Sequence, residues 1–153
     1  MSQMLQIRPV EPRDFAAWLP LWDGYNAFYG RSGDTALPDA VTQITWARFF
    51  DVDEPVHALV AERDGVLLGL AHFLFHRSTT AIKPICYMQD LFTDPALRGQ
   101  GIGRTLIEAV AVRAKEAQAA RFYWHTRNTN HTAMRLYDQV ATQPGSVVYL
   151  MDV

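Results

Sequence analysis

The sequence predicts a single α/β domain in which a mixed, mostly antiparallel sheet carries helices on both faces. The stretch HALVAERDGVLLGLAHFLF holds two strand-like runs on either side of Asp64-Gly65, which is a strong hairpin signal. A later segment carries one apolar stripe at helical spacing: Ile102, Leu106, Val110, Ala114 and Ala117. Strand and helix patterns alternate in the order β-α-α-β-β-β-α-β-α-β, which is typical of a sheet with helices packed on it.

The N-terminal third of the chain predicts one strand and two helices. Leu5 to Arg8 alternates apolar and polar residues, as a short strand does. Pro12 suits a first helical turn, and apolar side chains then follow at helical spacing: Phe15, Trp18, Leu19, Trp22 and Tyr25. Pro20 lies inside that pattern and predicts a bend or a break. After an exposed loop over residues 30–38, Asp39 caps a second helix.

The rest of the chain predicts three further strands and two helices. Ile85 to Thr93 is a strand, and a helix of about 18 residues follows from Ile102. Arg121 to Thr126 is a strand, and Asn130 can cap the next helix. A proline-glycine turn then leads into a last strand, Val147 to Met151.

Length and composition favour one soluble domain over residues 1–153. The chain is 49% hydrophobic and has a net charge of -2, so no global field attracts it to nucleic acid or to a membrane surface. Cys86 is the only cysteine, which indicates a reducing compartment. The N-terminus lacks a signal pattern, and no apolar run reaches the ~20 residues that span a bilayer. We therefore expect a cytoplasmic protein with no membrane or nucleic-acid partner.

The stretch DLFTDPALRGQGIGR places three glycines at alternate positions just before the long helix. Free backbone N–H groups and the helix dipole make such a strand-to-helix turn a place for phosphate oxygens. Gly99, Gly101 and Gly103 let the backbone approach closely, and Arg98 and Arg104 supply flanking charge. The alternative is a tight connection that binds no ligand.

Two common nucleotide motifs fail here on spacing. A dinucleotide fingerprint, G-x-G-x-x-G, needs glycine where this chain has Arg104 or Leu106. A Walker loop, which needs G-x-x-x-x-G-K before Ser or Thr, does not occur in the sequence.

The pattern Arg98-x-x-Gly101-x-Gly103 resembles the acetyl-CoA pyrophosphate loop of the GNAT superfamily of N-acetyltransferases. The preceding strand, Tyr87 to Thr93, matches the central splayed strand of that superfamily, and the run Asn130-x-x-Ala133-x-x-Leu136-Tyr137 resembles its second signature. The order of elements matches from Leu5 to Val148. The resemblance implies a GNAT-like fold and transfer of an acetyl group from acetyl-CoA to a primary amine.

The resemblance also assigns cofactor contacts to this chain. Backbone groups of Leu91, Phe92 and Thr93 would pair with the pantetheine arm, with an N–H near Leu91 directed at the thioester oxygen. The pyrophosphate would lie on the loop formed by Arg98, Gly99, Gln100, Gly101, Ile102, Gly103 and Arg104. Asn130 would contact the cofactor arm.

Two residues are candidates for proton transfer. Tyr137 matches the tyrosine that protonates the leaving thiolate in many family members; the alternative is a core aromatic whose hydroxyl is paired. For the general base, related polyamine acetyltransferases have a glutamate followed by aspartate, where this chain has Gln89-Asp90. Three possibilities stay open: Asp90, a more distant carboxylate acting through water, or no dedicated base. Asp90 can equally be a buried carboxylate that accepts backbone hydrogen bonds.

The acceptor is a small-molecule amine or a protein lysine under this interpretation. A non-catalytic sensor that binds acyl-CoA is the alternative function, since Gln89 replaces the glutamate. A nucleic-acid-binding face on the long helix is disfavoured because Glu108 and Glu116 reduce the positive charge of its arginines and lysine. His72 and His76 are predicted on one strand, roughly 13 Å apart, so we expect no metal site.

The C-terminus predicts a homodimer. Many family members end with two antiparallel strands after the tyrosine helix, and this chain has room for only one, Val147 to Met151. An uncovered sheet edge is a liability. We expect a second copy to supply the missing neighbour or to cover the edge.

Overall fold

The computed structural model describes residues 4–153; the first three residues of the N-terminal stretch lie outside the described part. Nine regular elements follow one another, beside three short 3-10 turns: β1 (Gln6–Pro9), α1 (Phe15–Phe28), α2 (Asp39–Arg48), β2 (Val56–Arg63), β3 (Val66–Ser78), β4 (Ala81–Thr93), α3 (Ile102–Glu116), β5 (Arg121–Trp124) and α4 (His131–Val140). Among the described residues, no helix is both long and apolar enough to cross a bilayer.

The sheet has five strands in the order β1-β2-β3-β4-β5. The first three neighbouring pairs are antiparallel, and β5 pairs with β4 in parallel. The parallel pair needs a crossover, and α3 provides it. The predicted mixed, mostly antiparallel sheet is confirmed.

Helices cover both faces of the sheet, as the sequence predicts. On one face α3 buries Leu106 and Val110 against Phe73 and Met88. On the other face α1 buries Trp18 and Trp22 against strand residues: Val60, Leu70 and Phe92. Strand β4 contributes residues to both cores, Met88 to the first and Phe92 to the second.

Helix α1 runs without a break through Pro20, so of the predicted bend or break the break is wrong. Pro20 is on the exposed side of the helix, where the loss of one backbone hydrogen bond leaves a carbonyl that water can satisfy. The apolar stripe on the opposite side, with Trp18 fully buried, holds the helix on the sheet.

The predicted last strand, Val147 to Met151, does not form within the described chain. Residues 142–153 have no regular secondary structure and join no strand of the sheet. A strand needs a neighbour for its backbone groups, and this segment does not reach the free edge of β5 in a single copy. The fold class is confirmed, but the final strand in the predicted order is wrong for one chain.

Candidate active site

A gap opens in the sheet between β4 and β5. The two strands pair only from Ile85 with Arg121 to Met88 with Trp124. Beyond that point β4 continues to Thr93, and its side toward β5 has no partner strand in residues 4–153. Leu91, Phe92 and Thr93 lie on this free edge, where an extended ligand can pair with the main chain.

The glycine loop lies at the far end of the gap. Asp94 closes the end of β4 by accepting a hydrogen bond from the Ala96 N–H at 3.0 Å. Gly99 and Gly101 have φ of +83° and +78°, the left-handed region, and an added Cβ at either would point into open space. Gly103 has a helical backbone, and a Cβ there would lie 3.7 Å from Leu136 and 3.8 Å from the Thr93 hydroxyl. Two of the glycines therefore shape the turn, whereas a Cβ at the third would make only ordinary van der Waals contacts.

The loop presents its N–H groups outward. Within the described chain, none of the backbone N–H groups from residue 99 to residue 104 has an intramolecular acceptor, and the first to find one is Thr105, bound to the Gly101 carbonyl at 3.0 Å. Such a run of N–H groups at the positive end of a helix fits a pyrophosphate. The residues present therefore fit acetyl-CoA.

The arginines around the loop already contact other side chains of the protein. Arg104 donates to Glu108 at 3.2 Å and to Gln139 at 3.4 Å, so its guanidinium lies along the surface of α3 and α4. Arg98 lies over the Phe28 ring, 6.0 Å from its centre. Arg63, which sequence reasoning missed, reaches the Gln100 side chain at 3.2 Å from the end of β2. No sequence signal links residue 63 to residue 100, because only the sheet brings them together.

A β-bulge at Gln89 decides where Asp90 points. His72 pairs with Asp90 and Phe73 pairs with Met88, so Gln89 is the extra residue. In a regular strand, Met88 and Asp90 would lie on the same face of the sheet. The bulge shifts the alternation, so Met88 packs in the α3 core while Asp90 faces α1. Sequence periodicity could not show this change of face.

Asp90 is buried beside a histidine that sequence reasoning considered only as a metal ligand. His72 Nδ1 lies 2.8 Å from the Asp90 carboxylate, and the Trp18 indole N–H donates to His72 Nε2 at 3.1 Å. Because an indole N–H can only donate, His72 Nε2 must accept, and the ring proton is on Nδ1, facing Asp90. The imidazole is therefore neutral in this arrangement and orients the carboxylate.

Tyr25 lies on the other side of the same carboxylate. Its hydroxyl donates to the Gln89 carbonyl at 3.4 Å. Burial, and next the negative charge of Asp90, raise the pKa of Tyr25 well above its usual range. The phenol therefore stays protonated as a donor. A cavity of about 170 Å³ adjoins this group, with aromatic and polar walls: Trp22, Thr45, Arg48, Phe49, Val56, His72, Phe73, Leu74, Gln89 and Asp90.

Tyr137 lies on α4, with its ring packed edge-on against Trp124 at 5.5 Å between ring centres. Burial, and next the nearby Tyr29, raise the pKa of Tyr137 to about 12. Its hydroxyl has no hydrogen-bond partner within the described chain. The described residues include no side-chain polar atom that is both buried and unpaired, so this hydroxyl is not buried. The phenol therefore reaches solvent although its ring packs against the core, and the role of Tyr137 stays a prediction.

Tyr29, at the end of α1, lies beside Tyr25 and two arginines. Its ring centre is 5.0 Å from that of Tyr25. The guanidinium carbons of Arg127 and Arg31 lie 5.2 Å and 5.6 Å from the Tyr29 ring centre. Arg127 makes no ion pair within the described residues. A cleft of about 180 Å³ opens here, lined by Phe28, Tyr29, Arg127, Thr129 and Asn130.

The remaining candidates have ordinary structural roles. Burial raises the pKa of the Cys86 thiol to about 12, so it stays a protonated, poorly nucleophilic group. His72 and His76 both lie on β3, as predicted. Within residues 4–153, no group of three His, Cys, Asp or Glu side chains is arranged to hold a metal ion.

The fold, the free edge of β4 and the glycine loop are those of a coenzyme A-dependent acyltransferase. The sequence profile of the Acetyltransferase (GNAT) family matches residues 18–141, and the chain belongs to this family. It transfers the acetyl group of acetyl-CoA to an amine. The resemblance read from the sequence is confirmed, whereas the roles of individual residues stay predictions.

Two relatives cover nearly the whole chain. The D-amino-acid N-acetyltransferase HPA3 of Saccharomyces cerevisiae is 34% identical over 97% of this chain and 91% of its own length. An uncharacterized N-acetyltransferase of Bacillus subtilis, YhfO, is 28% identical over 97% of this chain and 98% of its own. Among solved structures, AAC(6')-Iy in complex with a bisubstrate analogue superposes with a TM-score of 0.83, covering 99% of both chains at 16% identity. That structure supports the fold.

Proposed function

We propose that this N-acetyltransferase acts on a free amino acid or a similarly small amine that carries a carboxylate. The single observation that carries the proposal is the pair of charged cavities: the buried carboxylate of Asp90 lines one together with Arg48, and Arg127, which makes no ion pair among the described residues, lines the other. Opposite charges in the two cavities complement the ammonium and carboxylate groups of an amino acid. The 34% identity to a D-amino-acid N-acetyltransferase supports the same substrate class.

Asp90 is the general base in this proposal. The ammonium group of such an amine is mostly protonated at pH 7, so a nearby carboxylate must accept the proton before the nitrogen can attack. His72 holds the carboxylate in one orientation, which lowers the cost of positioning it. His72 is a positioning residue, because its second ring nitrogen, Nε2, accepts the hydrogen bond from the Trp18 indole and cannot take the substrate proton as well.

Tyr137 is the general acid. Its hydroxyl is unpaired, and its raised pKa keeps the proton in place at neutral pH until a thiolate can accept it. When bound, acetyl-CoA supplies an activated acyl group as a thioester. The chain's part is to hold the pantetheine arm on the free edge of β4, at Leu91, Phe92 and Thr93, and the phosphates on the loop from residue 98 to residue 104, with Asn130 beside the arm.

The test is release of free coenzyme A from acetyl-CoA against a panel of amines. The panel holds D- and L-amino acids, their amides, the corresponding decarboxylated amines, polyamines and a lysine-containing peptide. We expect kcat/KM to be largest for amino acids and to fall at least tenfold for the matched amides. Turnover on the peptide alone would assign the site to protein lysine. Binding of acetyl-CoA without turnover on any amine would instead favour the sensor.

We also propose that the protein works as a cytoplasmic homodimer. The lone, buried Cys86 supports a reducing compartment. The free edge of β5 and the apolar C-terminus support a second copy. Cell fractionation tests the location, and light scattering at micromolar concentration tests the dimer.

A further inference from the structure

The sheet face that carries α1 is only partly covered by that helix. Met88 packs in the α3 core, so the side chain before it, Tyr87, points to the α1 face. Leu74 pairs with Tyr87, and Tyr87 pairs with Tyr123, so these three side chains form one row across β3, β4 and β5. All three are only partly buried, and within the described chain they belong to neither hydrophobic core. The helices therefore leave an apolar strip of the sheet open.

The two tyrosine rings of this row are stacked on each other and held at their tips. The ring centres of Tyr87 and Tyr123 are 4.8 Å apart, with 23° between the ring planes. His76 Nδ1 lies 2.8 Å from the Arg77 carbonyl, which can only accept, so in the neutral ring Nε2 accepts from the Tyr123 hydroxyl at 2.9 Å. The Tyr87 hydroxyl lies 3.4 Å from His125 Nδ1. Rings held in this way keep one orientation and lose little conformational freedom when a ligand binds.

One face of the Tyr87 ring remains available. Tyr87 lies between Leu74 and Tyr123 in the row, so Tyr123 covers one face of its ring and the other is turned toward Leu74. Leu74 is also a wall of the cavity of about 170 Å³ that Asp90 lines. Burial, next Tyr123 and then the charge of Asp90 raise the pKa of Tyr87 above its usual value, which agrees with a carboxylate close to the ring. The free ring face and the proposed general base are therefore neighbours, with Leu74 next to both.

We propose that this row is the side-chain subsite of the acceptor, and that the enzyme prefers amines that carry an aromatic ring. The proposal rests on the small-amine acceptor proposed above and names its side chain. With the ammonium group at Asp90, the ring of the substrate lies above Leu74 and stacks on the free face of Tyr87. Small-molecule sites are commonly walls of aromatic and apolar side chains with a few polar groups that fix the orientation, as found here.

The spacing along β4 selects for a large side chain. Three strand residues separate Tyr87 from Asp90, which is roughly 10 Å at most. An aromatic amino acid can hydrogen-bond to the carboxylate with its ammonium group and contact the ring with its side chain, whereas alanine reaches only the first. Contact between two aromatic rings adds to the gain from apolar burial, so an aromatic side chain binds better than an aliphatic one of similar size.

The first test compares matched acceptors: phenylalanine with alanine, each as both enantiomers, and phenethylamine with ethylamine. Release of coenzyme A should give a kcat/KM at least tenfold higher for the aromatic member of each pair. Equal values for phenylalanine and alanine would overturn the aromatic subsite and leave the amino-acid acceptor standing. A preference for phenethylamine, with no turnover of either amino acid, would overturn the amino-acid acceptor and support the subsite. Turnover on no amine, or only on a lysine-containing peptide, would overturn both.

The second test assigns the preference to one ring, with Tyr87→Ala as the variant and Tyr87→Phe as its matched control. Tyr87→Ala should lower kcat/KM for phenylalanine about three- to tenfold, mostly through KM, and keep the value for alanine within twofold. Tyr87→Phe keeps the ring face and should match the wild type on both substrates.

Affinity for acetyl-CoA reports whether the variants fold, because the glycine loop lies beyond the C-terminal end of β4. It should stay within twofold of the wild type. If Tyr87→Ala does not fold, Tyr87→Leu keeps the apolar bulk without the ring, and the loss on phenylalanine should have the same direction. An equal loss on phenylalanine and alanine would limit Tyr87 to packing, and an unchanged aromatic preference in the folded variant would overturn its assignment to the subsite.

Discussion

The glycine loop and the Asp90 pocket both adjoin the end of β4, but different parts of the chain build them. At the loop, the binding groups are backbone N–H groups from one continuous segment. At the pocket, the groups are side chains from α1, β3 and β4, brought together by pairing and a bulge. A main-chain site depends on conformation and steric access, whereas a side-chain site depends on the packing of several elements. The two should therefore respond differently to mutation.

The largest effect is expected from Gly101→Glu. The change places a carboxylate on the loop where a diphosphate binds, and it puts a side chain at a left-handed φ. We expect calorimetry to show at least a 100-fold loss of affinity for acetyl-CoA. Gly65→Glu is a matched control, because Gly65 has the same φ of +78° and the same open surroundings but lies in the β2–β3 hairpin. If the two variants bind acetyl-CoA equally well, the loop does not hold the phosphates.

Asp90→Asn should have the next largest effect. The amide cannot accept the proton of the ammonium, so kcat/KM should fall by about 10²-fold, within the range typical of a lost general base. Affinity for acetyl-CoA should stay within twofold of the wild type, because the loop is untouched. Asp23→Asn, an exposed carboxylate on α1, controls for the charge change. Activity like that of the wild type in Asp90→Asn would make Asp90 a structural carboxylate.

His72→Gln tests whether the side chains packed around Asp90 are needed for its activity. The variant leaves the Asp90 carboxylate in place but replaces the imidazole between Trp18 and Asp90. A positioning role predicts a fall in kcat of about tenfold, with a changed pH profile, while KM for the amine stays within twofold. A loss of thermal stability with unchanged kcat would limit His72 to packing.

Tyr137→Phe should lower kcat by about tenfold to 10²-fold without weakening acetyl-CoA binding. Because the pKa of Tyr137 is raised to about 12, the phenol stays protonated across the assay range. The wild-type rate should therefore rise as the amine deprotonates and show no alkaline fall up to pH 10. The phenylalanine variant should be slower by the same factor at each pH. Equal kcat in the two proteins would contradict the general-acid role.

The smallest effect is expected from Arg127→Gln. Loss of one guanidinium over the Tyr29 ring should raise KM for an amino acid by about tenfold and leave kcat within twofold. KM for the matched amide should not change, because the amide has no carboxylate to contact. Arg77→Gln, an exposed arginine on β3, is the control. An equal rise in KM for acid and amide would show that Arg127 does not recognise the carboxylate.

The sequence by itself determined the parts that depend on local chemistry. The Asp64-Gly65 hairpin and the glycine turn form as predicted, because each is specified by neighbouring residues. The amphipathic α3 also forms, but with 15 residues instead of about 18, and it ends before Ala117, which is exposed. The two signatures, at residues 98–103 and 130–137, were enough to identify the family.

Only the tertiary structure decided which face Asp90 occupies, that His72 orients it, and that Tyr29 and Arg127 meet at the gap. A single-residue bulge reverses the alternation of a strand, and no periodicity reveals it beforehand. The C-terminal segment shows the same limit. Its residues favour a strand, but a strand forms only where another backbone completes its hydrogen bonds, and within one copy the described chain does not bring that partner to it.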